Sequence, residues 1–139
     1  MISQTAEYAL RAMVCLSAHW REGLPTSRIV DRTQVPSGYL PKVMRLLDRA
    51  GLIYGIRGAG GGYYLKRLPS DITLWDVVKA VEPGIGVGCC PTDTGGTCAL
   101  HATLNEALDA MRGVLESTTL ADLLNGVKGV PPLGVMAKL

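Results

Sequence analysis

Three of the four cysteines lie in one glycine-rich stretch, GCCPTDTGGTCALH, at residues 88–101. Cys89 and Cys90 are adjacent, Cys98 follows after seven intervening residues, and His101 comes three residues later. Thiolates are the ligands that iron-sulfur clusters prefer, and histidine can replace cysteine in two-iron centres. The stretch therefore indicates an iron-sulfur cluster, with a 2Fe-2S centre favoured over a 4Fe-4S one. The candidate ligands are Cys89, Cys90, Cys98 and His101.

Other chemistries are compatible with the same thiols. A regulator without any cofactor could carry them as inert or reversibly oxidised groups. A small redox enzyme could use the neighbouring pair Cys89 and Cys90, but the pair lacks the CxxC spacing of a thioredoxin-like site. No Ser/His/Asp set or pair of carboxylates supports catalysis, so we expect a protein that is not an enzyme. The fourth cysteine, Cys15, lies among apolar residues and is predicted to be a small core residue.

The charge of the chain is unevenly distributed. Its 139 residues are enough for one domain with a hydrophobic core, and the net charge is only +2. Residues 21–67, however, carry nine basic and three acidic side chains, a net charge of +6 against −4 in the remainder. A basic half of this kind indicates contact with nucleic acid and argues against a simple cluster carrier. The sequence has neither an uninterrupted apolar run of about 18 residues nor a secretory signal, so we expect a cytoplasmic protein with no membrane contact.

The first half of the sequence carries the pattern of three helices. Apolar spacing predicts a helix over residues 3–20 and a short second helix capped by Thr26 or Ser27. A third helix is predicted to begin at its cap, Ser37, and to end at Gly51. One stripe of this helix is apolar and its other face is polar. The residues predicted to project outward are Tyr39, Lys42, Arg45 and Arg49.

Two β-prone runs, at residues 52–56 and 63–66, flank a glycine-rich tip and predict a hairpin. Three helices followed by a hairpin are the order of a winged helix-turn-helix, whose recognition helix enters the major groove of DNA. We therefore predict a mainly α fold with a small β-hairpin wing that lies against the DNA backbone. The predicted DNA-contacting residues are Thr26, Arg28, Ser37, Tyr39, Lys42, Arg45, Arg57, Gly58, Gly60 and Gly61.

The second half is predicted to hold a sensor loop and a dimerisation helix. Thr73, with Asp76 three residues later, predicts the start of a fourth helix. A long helix from Ala99 carries an apolar stripe too long for one small domain to cover, which predicts a homodimer. The predicted interface residues are Leu100, Leu104, Leu108, Met111 and Leu115. The predicted divisions are a DNA-binding domain (1–82), a cysteine-bearing loop (83–98), a dimerisation helix (99–125) and a flexible tail (126–139).

Three segments, AEYALRAM, SGYLPKVMRLLDRAGLIYGIRGAGGGYYL and ITLWDVVKAVE, resemble the Rrf2 family of winged-helix repressors. Its members include iron-sulfur and nitric-oxide sensors. The resemblance extends from residue 1 to about residue 125, and RGAGGGYYL is its most specific part. It implies that Ser37, Tyr39 and Lys42 face the bases. It also implies that Arg57 and the glycines after it form the wing, and that the helix from Ala99 crosses between two chains.

The resemblance also implies a cluster on the cysteine loop, but this chain departs from the family's pattern. Cluster-bearing members typically carry three spaced cysteines, whereas here Cys89 and Cys90 are adjacent and the middle cysteine is missing. Similar sensors place an acidic residue of the first helix on the cluster of the partner chain, which makes Glu7 a candidate ligand. Alternatively, Glu7 forms an ordinary helical ion pair with Arg11. We expect a homodimeric repressor of a pseudo-palindromic DNA site, controlled by a cluster that senses nitric oxide, redox state or iron-sulfur status.

Overall fold

The computed structural model of the chain describes residues 2–86 and 98–126. Within these ranges, three helices precede a two-stranded hairpin and three follow it. The elements are α1 (Gln4–Ala18), α2 (Thr26–Thr33), α3 (Leu40–Arg49), β1 (Ile53–Ile56), β2 (Gly62–Leu65), a 3-10 turn (Pro69–Asp71), α4 (Leu74–Val81), α5 (Ala99–Ser117) and α6 (Leu120–Leu124). This is the predicted element order of a winged helix-turn-helix with a long helix appended. No helix in the described ranges is long and apolar enough to cross a membrane.

Helix α1 is the centre of the core. Ser3 caps it by accepting a hydrogen bond from the backbone N–H of Ala6, as expected for an N-cap serine. Its buried face combines alanines, which allow neighbouring helices to approach closely, with large side chains such as Met13 and Leu16. Cys15 is fully buried, which confirms the prediction of a core residue. Burial raises the pKa of the Cys15 thiol, so this cysteine stays in its neutral, unreactive form.

Three of the predicted helix boundaries were wrong. Helix α1 ends at Ala18 rather than residue 20, and α2 begins at Thr26 itself, because Pro25 holds the N-cap position. Helix α3 begins at Leu40, so Ser37 lies in the preceding turn and does not cap the helix. There the backbone N–H groups of both Tyr39 and Leu40 donate to the carbonyl of Pro36, and this turn takes the place of a side-chain cap.

The hairpin pairs antiparallel, with Ile53 opposite Leu65 and Ile56 opposite Gly62. Gly51 has a φ of 76°, as the predicted helix-ending glycine requires, and turns the chain from α3 into β1. The segment before α2 joins the hairpin as well, because Leu24 and Tyr63 exchange two backbone hydrogen bonds of 2.8 and 3.0 Å. The start of α2 is therefore held directly beside the wing.

The C-terminal part differs from the single helix predicted for residues 99–125. Helix α5 ends at Ser117, and a separate α6 returns Leu120 to the main core, where it is fully buried. The predicted capping box of Thr73 and Asp76 is confirmed at the start of α4. A second box, formed by Thr119 and Asp122, starts α6. The predicted tail from residue 126 onward lies outside the described residues except for Gly126.

Candidate DNA interface and cysteine site

Helix α3 separates its residues into a buried and an exposed face, as predicted. Val43, Met44 and Leu47 are fully buried and anchor the helix on the core. Lys42 and Arg45 are exposed on the other face, where a recognition helix contacts DNA. Two cations on the exposed face of one short helix provide charge for phosphates and donors for base edges.

The turn between α2 and α3 fixes the angle of the recognition helix. Gln34 adopts the left-handed conformation with a φ of 59°, and Val35 after it is buried. The hydroxyl of Thr33 donates to the carbonyl of Ile29 at 2.6 Å and accepts from the backbone N–H of Val35 at 3.3 Å. These bonds hold the turn to the end of α2, so α2 and α3 form one unit.

Tyr39 does not project outward, contrary to the prediction. It occupies the N-cap position of α3 and is half-buried against α1. Its ring lies edge-on to that of Tyr8, with centroids 5.3 Å apart, and its hydroxyl is hydrogen-bonded to the hydroxyl of Thr5. The Lys42 ammonium lies 5.4 Å from the centre of the same ring. Ser37, in the turn before it, is exposed.

The tip of the wing depends on its glycines. Gly58 and Gly60 have φ values of 97° and 76°, which other residues rarely adopt. A Cβ atom on Gly61 would clash with the carbonyl oxygen of Ile56. The backbone N–H of Gly61 donates to the carbonyl of Gly58 at 2.9 Å, which closes the tip. Arg57, at its base, is exposed.

A cleft of about 420 Å³ separates the wing from the start of α2. Thr26 and Arg57 line it from opposite sides, and Asp48 of α3 also reaches it. Among the described residues no side chain caps α2, so the backbone N–H groups of Thr26 and Ser27 have no side-chain acceptor there and suit an anion. Arg28, one turn into α2, is exposed.

His19 lies between α1 and α2. Its Nε2 accepts a hydrogen bond from the guanidinium of Arg32, which requires the neutral imidazole. Burial lowers the pKa of His19, and the positive charge of Arg32 lowers it further. Helical periodicity does not reveal this contact, because His19 follows the end of α1 and Arg32 lies in α2, 13 residues later.

Of the predicted ligands on the cysteine loop, the structure describes Cys98 and His101, which lie at the start of α5. Cys98 is the N-cap residue and is half-buried, and its Sγ lies 3.6 Å from Nδ1 of His101. Two ligands of one tetrahedral metal ion, at about 2.3 Å for sulfur and about 2.0 Å for nitrogen, lie roughly 3.5 Å apart. The separation of Cys98 Sγ and His101 Nδ1 is therefore compatible with two ligands of one metal ion and equally with a hydrogen bond between the two side chains. Cys89 and Cys90 lie outside the described residues, and within residues 2–86 and 98–126 no three metal-binding side chains cluster together.

Glu7 is exposed on the first turn of α1. Its carboxylate forms an ion pair with Arg11, four residues later. The pairing expected of an ordinary surface glutamate is thus present within the chain. To bind a cluster on a partner chain, the Glu7 carboxylate would have to give up its ion pair with Arg11 and coordinate iron instead.

The predicted dimer residues fall into two groups. Leu115 is buried in its own chain against Ala6 and Val78, so it is not a free interface residue as predicted, and Met111 is half-buried on the same cluster. Leu100 and Leu104, by contrast, are 62% and 42% exposed. Leu108 is partly exposed.

The exposed row continues to a residue that the sequence analysis missed. Val114 is 64% exposed, and residues 100, 104, 107 and 114 are all exposed. With Met111, which is half-buried at the border of the two rows, they repeat with the spacing of four and three that is typical of a coiled-coil seam. Among the 19 residues of α5, only Leu115 is buried. Helix α5 thus carries two neighbouring apolar rows, one packed on its own domain and one exposed.

A family model described as Rrf2, an iron-dependent transcriptional regulator, matches residues 2–126. The chain belongs to the Rrf2 family. It is 30% identical over 129 residues to the HTH-type transcriptional regulator IscR of Photorhabdus laumondii, covering 89% of this chain and 79% of that protein. The IscR of Escherichia coli K12 is also 30% identical, over 131 residues covering 89% of this chain and 80% of the relative.

Solved structures share the fold. The structure of CymR (YrzC), the global cysteine regulator of B. subtilis, matches with a TM-score of 0.79 and 31% identity, covering 92% of this chain and 98% of that one. The structure of T. potens IscR matches with a TM-score of 0.77 and 29% identity, covering 99% and 96%. These similarities confirm an Rrf2-type winged-helix transcriptional regulator that binds DNA and is not an enzyme.

Proposed function

We propose that the protein is a homodimeric repressor that binds a pseudo-palindromic operator. Each α3 enters the major groove with Lys42 and Arg45 toward the bases, and Ser37 contacts the site from the preceding turn. The observation that carries this proposal is the position of the positive charge. Residues 21–67, with a net charge of +6, contain α2, α3 and the wing, and their basic side chains Arg28, Lys42, Arg45 and Arg57 are exposed. A surface of this charge neutralises phosphates and releases counterions from DNA.

The wing and the start of α2 form the backbone-binding part of the proposed interface. The uncapped N–H groups at Thr26 suit one phosphate, and Arg28 adds a positive charge nearby. The compact glycine tip, Gly58 to Gly61, lets the wing backbone approach the DNA, while Arg57 reaches a phosphate or the minor groove. The cleft between them, lined by Thr26 and Arg57, is where we propose that the sugar-phosphate backbone passes.

The DNA-binding proposal is tested with the operator selected from a randomised duplex pool. We expect Arg57→Ala to weaken binding by ~1 to 3 kcal/mol, about five- to 150-fold, and to make the affinity less dependent on salt. Lys79→Ala is the matched control, because it removes one exposed positive charge from α4, outside the proposed interface. Equal losses for the two variants would contradict the assignment of Arg57.

A dimer is proposed because α5 leaves one apolar row uncovered. Leu100, Leu104 and Val114 are all exposed on a helix that already packs its other row on α4 and α1. Two copies of α5 crossing along this row would bury it. The same crossing would place two recognition helices on one face of the assembly, which a two-fold operator requires.

We further propose that the start of α5 and the cysteine loop hold an iron-sulfur cluster that controls operator affinity. Cys98 and His101 would be ligands, with Cys89 or Cys90 supplying another thiolate and Glu7 of the partner subunit completing the set. The N-terminus of α5 favours the negative charge of a thiolate at Cys98. When bound, the cluster would supply redox or nitric-oxide chemistry, and its assembly or loss would change the position of α5.

Anaerobic purification with iron, sulfide and absorption measurements tests the cluster. We expect coloured protein, loss of colour in Cys98→Ala, and an altered spectrum in His101→Ala. Separate replacements of Cys89 and Cys90 identify which of the two binds iron. Glu7→Gln tests the partner ligand: a changed spectrum supports ligation, whereas an unchanged spectrum leaves Glu7 only its ion pair with Arg11.

A second candidate is a regulator that responds through its thiols without a cluster. It is favoured by the similarity to structures of CymR, one of which is described as an oxidized form. The close approach of His101 to Cys98 suits it too, since a neighbouring imidazole promotes thiolate formation. Iron-free protein from an anaerobic preparation, with DNA affinity that changes on diamide treatment, would establish this alternative.

A further inference from the structure

The start of α3 is held by its buried first residue, Leu40, by the backbone turn at Pro36 and by the contacts of Tyr39. Its N-cap residue, Tyr39, makes no capping hydrogen bond, and the helix begins with a proline in its first turn. Tyr39 adds a contact that ties this end of the recognition helix to α1, through Thr5, 34 residues away along the sequence. We infer that Tyr39 is a positioning residue for DNA binding, which orients Lys42 through contacts with Thr5 and Tyr8.

The contacts hold the Tyr39 ring from two directions. The edge-on packing on Tyr8, at 5.3 Å and 72° between ring planes, sets the plane of the Tyr39 ring. The hydrogen bond with the Thr5 hydroxyl fixes the far end of the ring. A half-buried tyrosine with both its ring and its hydroxyl held has one orientation.

The oriented ring then restricts Lys42. The ammonium lies 5.4 Å from the ring centroid, within the range of a cation–π interaction. A lysine on a four-carbon stem loses much rotational freedom when it binds DNA, and a ring that holds it beforehand reduces that loss. Lys42 is therefore directed before DNA arrives, and Tyr39 acts on DNA through it.

This inference rests on the proposed DNA interface but assigns the control of Lys42 to α1, outside the recognition helix. It also explains why a tyrosine in the turn before α3 faces inward while its neighbours, Ser37 and Lys42, are exposed. The hydroxyl of Tyr39 is bonded to Thr5, which ties the ring to α1.

The test compares the full-length variants Tyr39→Phe, Thr5→Val and Tyr8→Phe for affinity to the selected operator. Tyr39→Phe and Thr5→Val each delete the same hydrogen bond, so we expect each to weaken binding about two- to tenfold, and the double variant to be no weaker than either. Tyr8→Phe is the matched control. It deletes another tyrosine hydrogen bond, the 2.7 Å bond from Gln4, but leaves the contacts of Tyr39 in place, so we expect unchanged affinity.

A double-mutant cycle with Lys42→Met separates positioning from simple packing. If Tyr39 acts through Lys42, Tyr39→Phe should have little further effect on affinity once Lys42 is replaced. The inference would be overturned if the losses of binding free energy in Tyr39→Phe and Lys42→Met were fully additive, or if Tyr8→Phe weakened binding as much as Tyr39→Phe. The DNA interface would still be supported by Arg57→Ala. Failure of the unmodified protein to bind any duplex would overturn both.

Discussion

Replacing Leu100 by alanine should separate dimerisation from folding. Leu100 is 62% exposed in the single chain, so most of its side chain is still available for burial by a second copy. Complete burial of a leucine side chain is worth about 1.5 to 3 kcal/mol. Burying the exposed 62% of this side chain is therefore worth about 1 to 2 kcal/mol per protomer. Because both protomers contribute a Leu100, Leu100→Ala should weaken the dimer by about 2 to 4 kcal/mol.

Sedimentation velocity over a dilution series measures this cost directly. We expect the dimer dissociation constant to rise about 30- to 1000-fold, because each 1.4 kcal/mol is a factor of ten. The matched control is Asn105→Ala, an exposed position of α5 outside the apolar row, which should leave the constant unchanged. A stronger form of the experiment replaces both Leu104 and Leu108 by lysine, which should give monomers or insoluble protein.

The buried row of α5 provides the opposite control. Leu115 is only 8% exposed and packs on Ala6 and Val78, so Leu115→Ala should lower the free energy of unfolding by about 2 to 5 kcal/mol. If Leu100→Ala left the dimer dissociation constant unchanged while the protein remained dimeric, the reasoning from the exposed row would be refuted.

Two other predictions concern the fold of the DNA-binding part. Since burial and Arg32 lower the pKa of His19 below its ordinary value of 6.5, the unfolded chain takes up a proton that the folded one resists. The free energy of unfolding should therefore fall as pH drops through about 6.5, and the fall should be smaller in His19→Asn, as measured by urea denaturation between pH 8 and 5.5. Gly62→Ala should destabilise the protein by about 1 to 3 kcal/mol, because its Cβ would lie 2.6 Å from the Leu24 carbonyl oxygen. Gly38→Ala, with open space around it, should not; equal thermal shifts for the two glycine variants would show that the close approach is unimportant.

Local signals predicted the elements that depend on neighbouring residues. The glycine after α3, Gly51, and the capping box at Thr73 were identified because their chemistry is contained within a few positions. The capping box at Thr119 was not predicted, because α6 is only five residues long and is too short to show a helical repeat of apolar residues. Short helices of this kind are specified by the core that receives them.

Signals that depend on tertiary contacts could not be read from the sequence. The inward position of Tyr39 depends on Thr5, on a different helix, so helical periodicity alone placed it on the wrong face. The apolar stripe of α5 was recognised, but its period does not show which row faces the protein's own core. Leu115 was therefore assigned to the dimer, and Val114 was overlooked.

The short bridge between the starts of α4 and α6 has an evolutionary consequence. The backbone N–H of Leu74 donates to the carbonyl of Thr118, and that of Leu120 to the carbonyl of Ile72, both at 2.9 Å. These two hydrogen bonds join the start of α4 to the start of α6, so both ends of the segment that holds α4, the cysteine-bearing residues and α5 are fixed at one place. We therefore expect changes in the number or spacing of the cysteines to leave the fold of α1, α2, α3 and the hairpin intact. This arrangement suits a family whose solved structures include both IscR and CymR, the latter described as a global cysteine regulator.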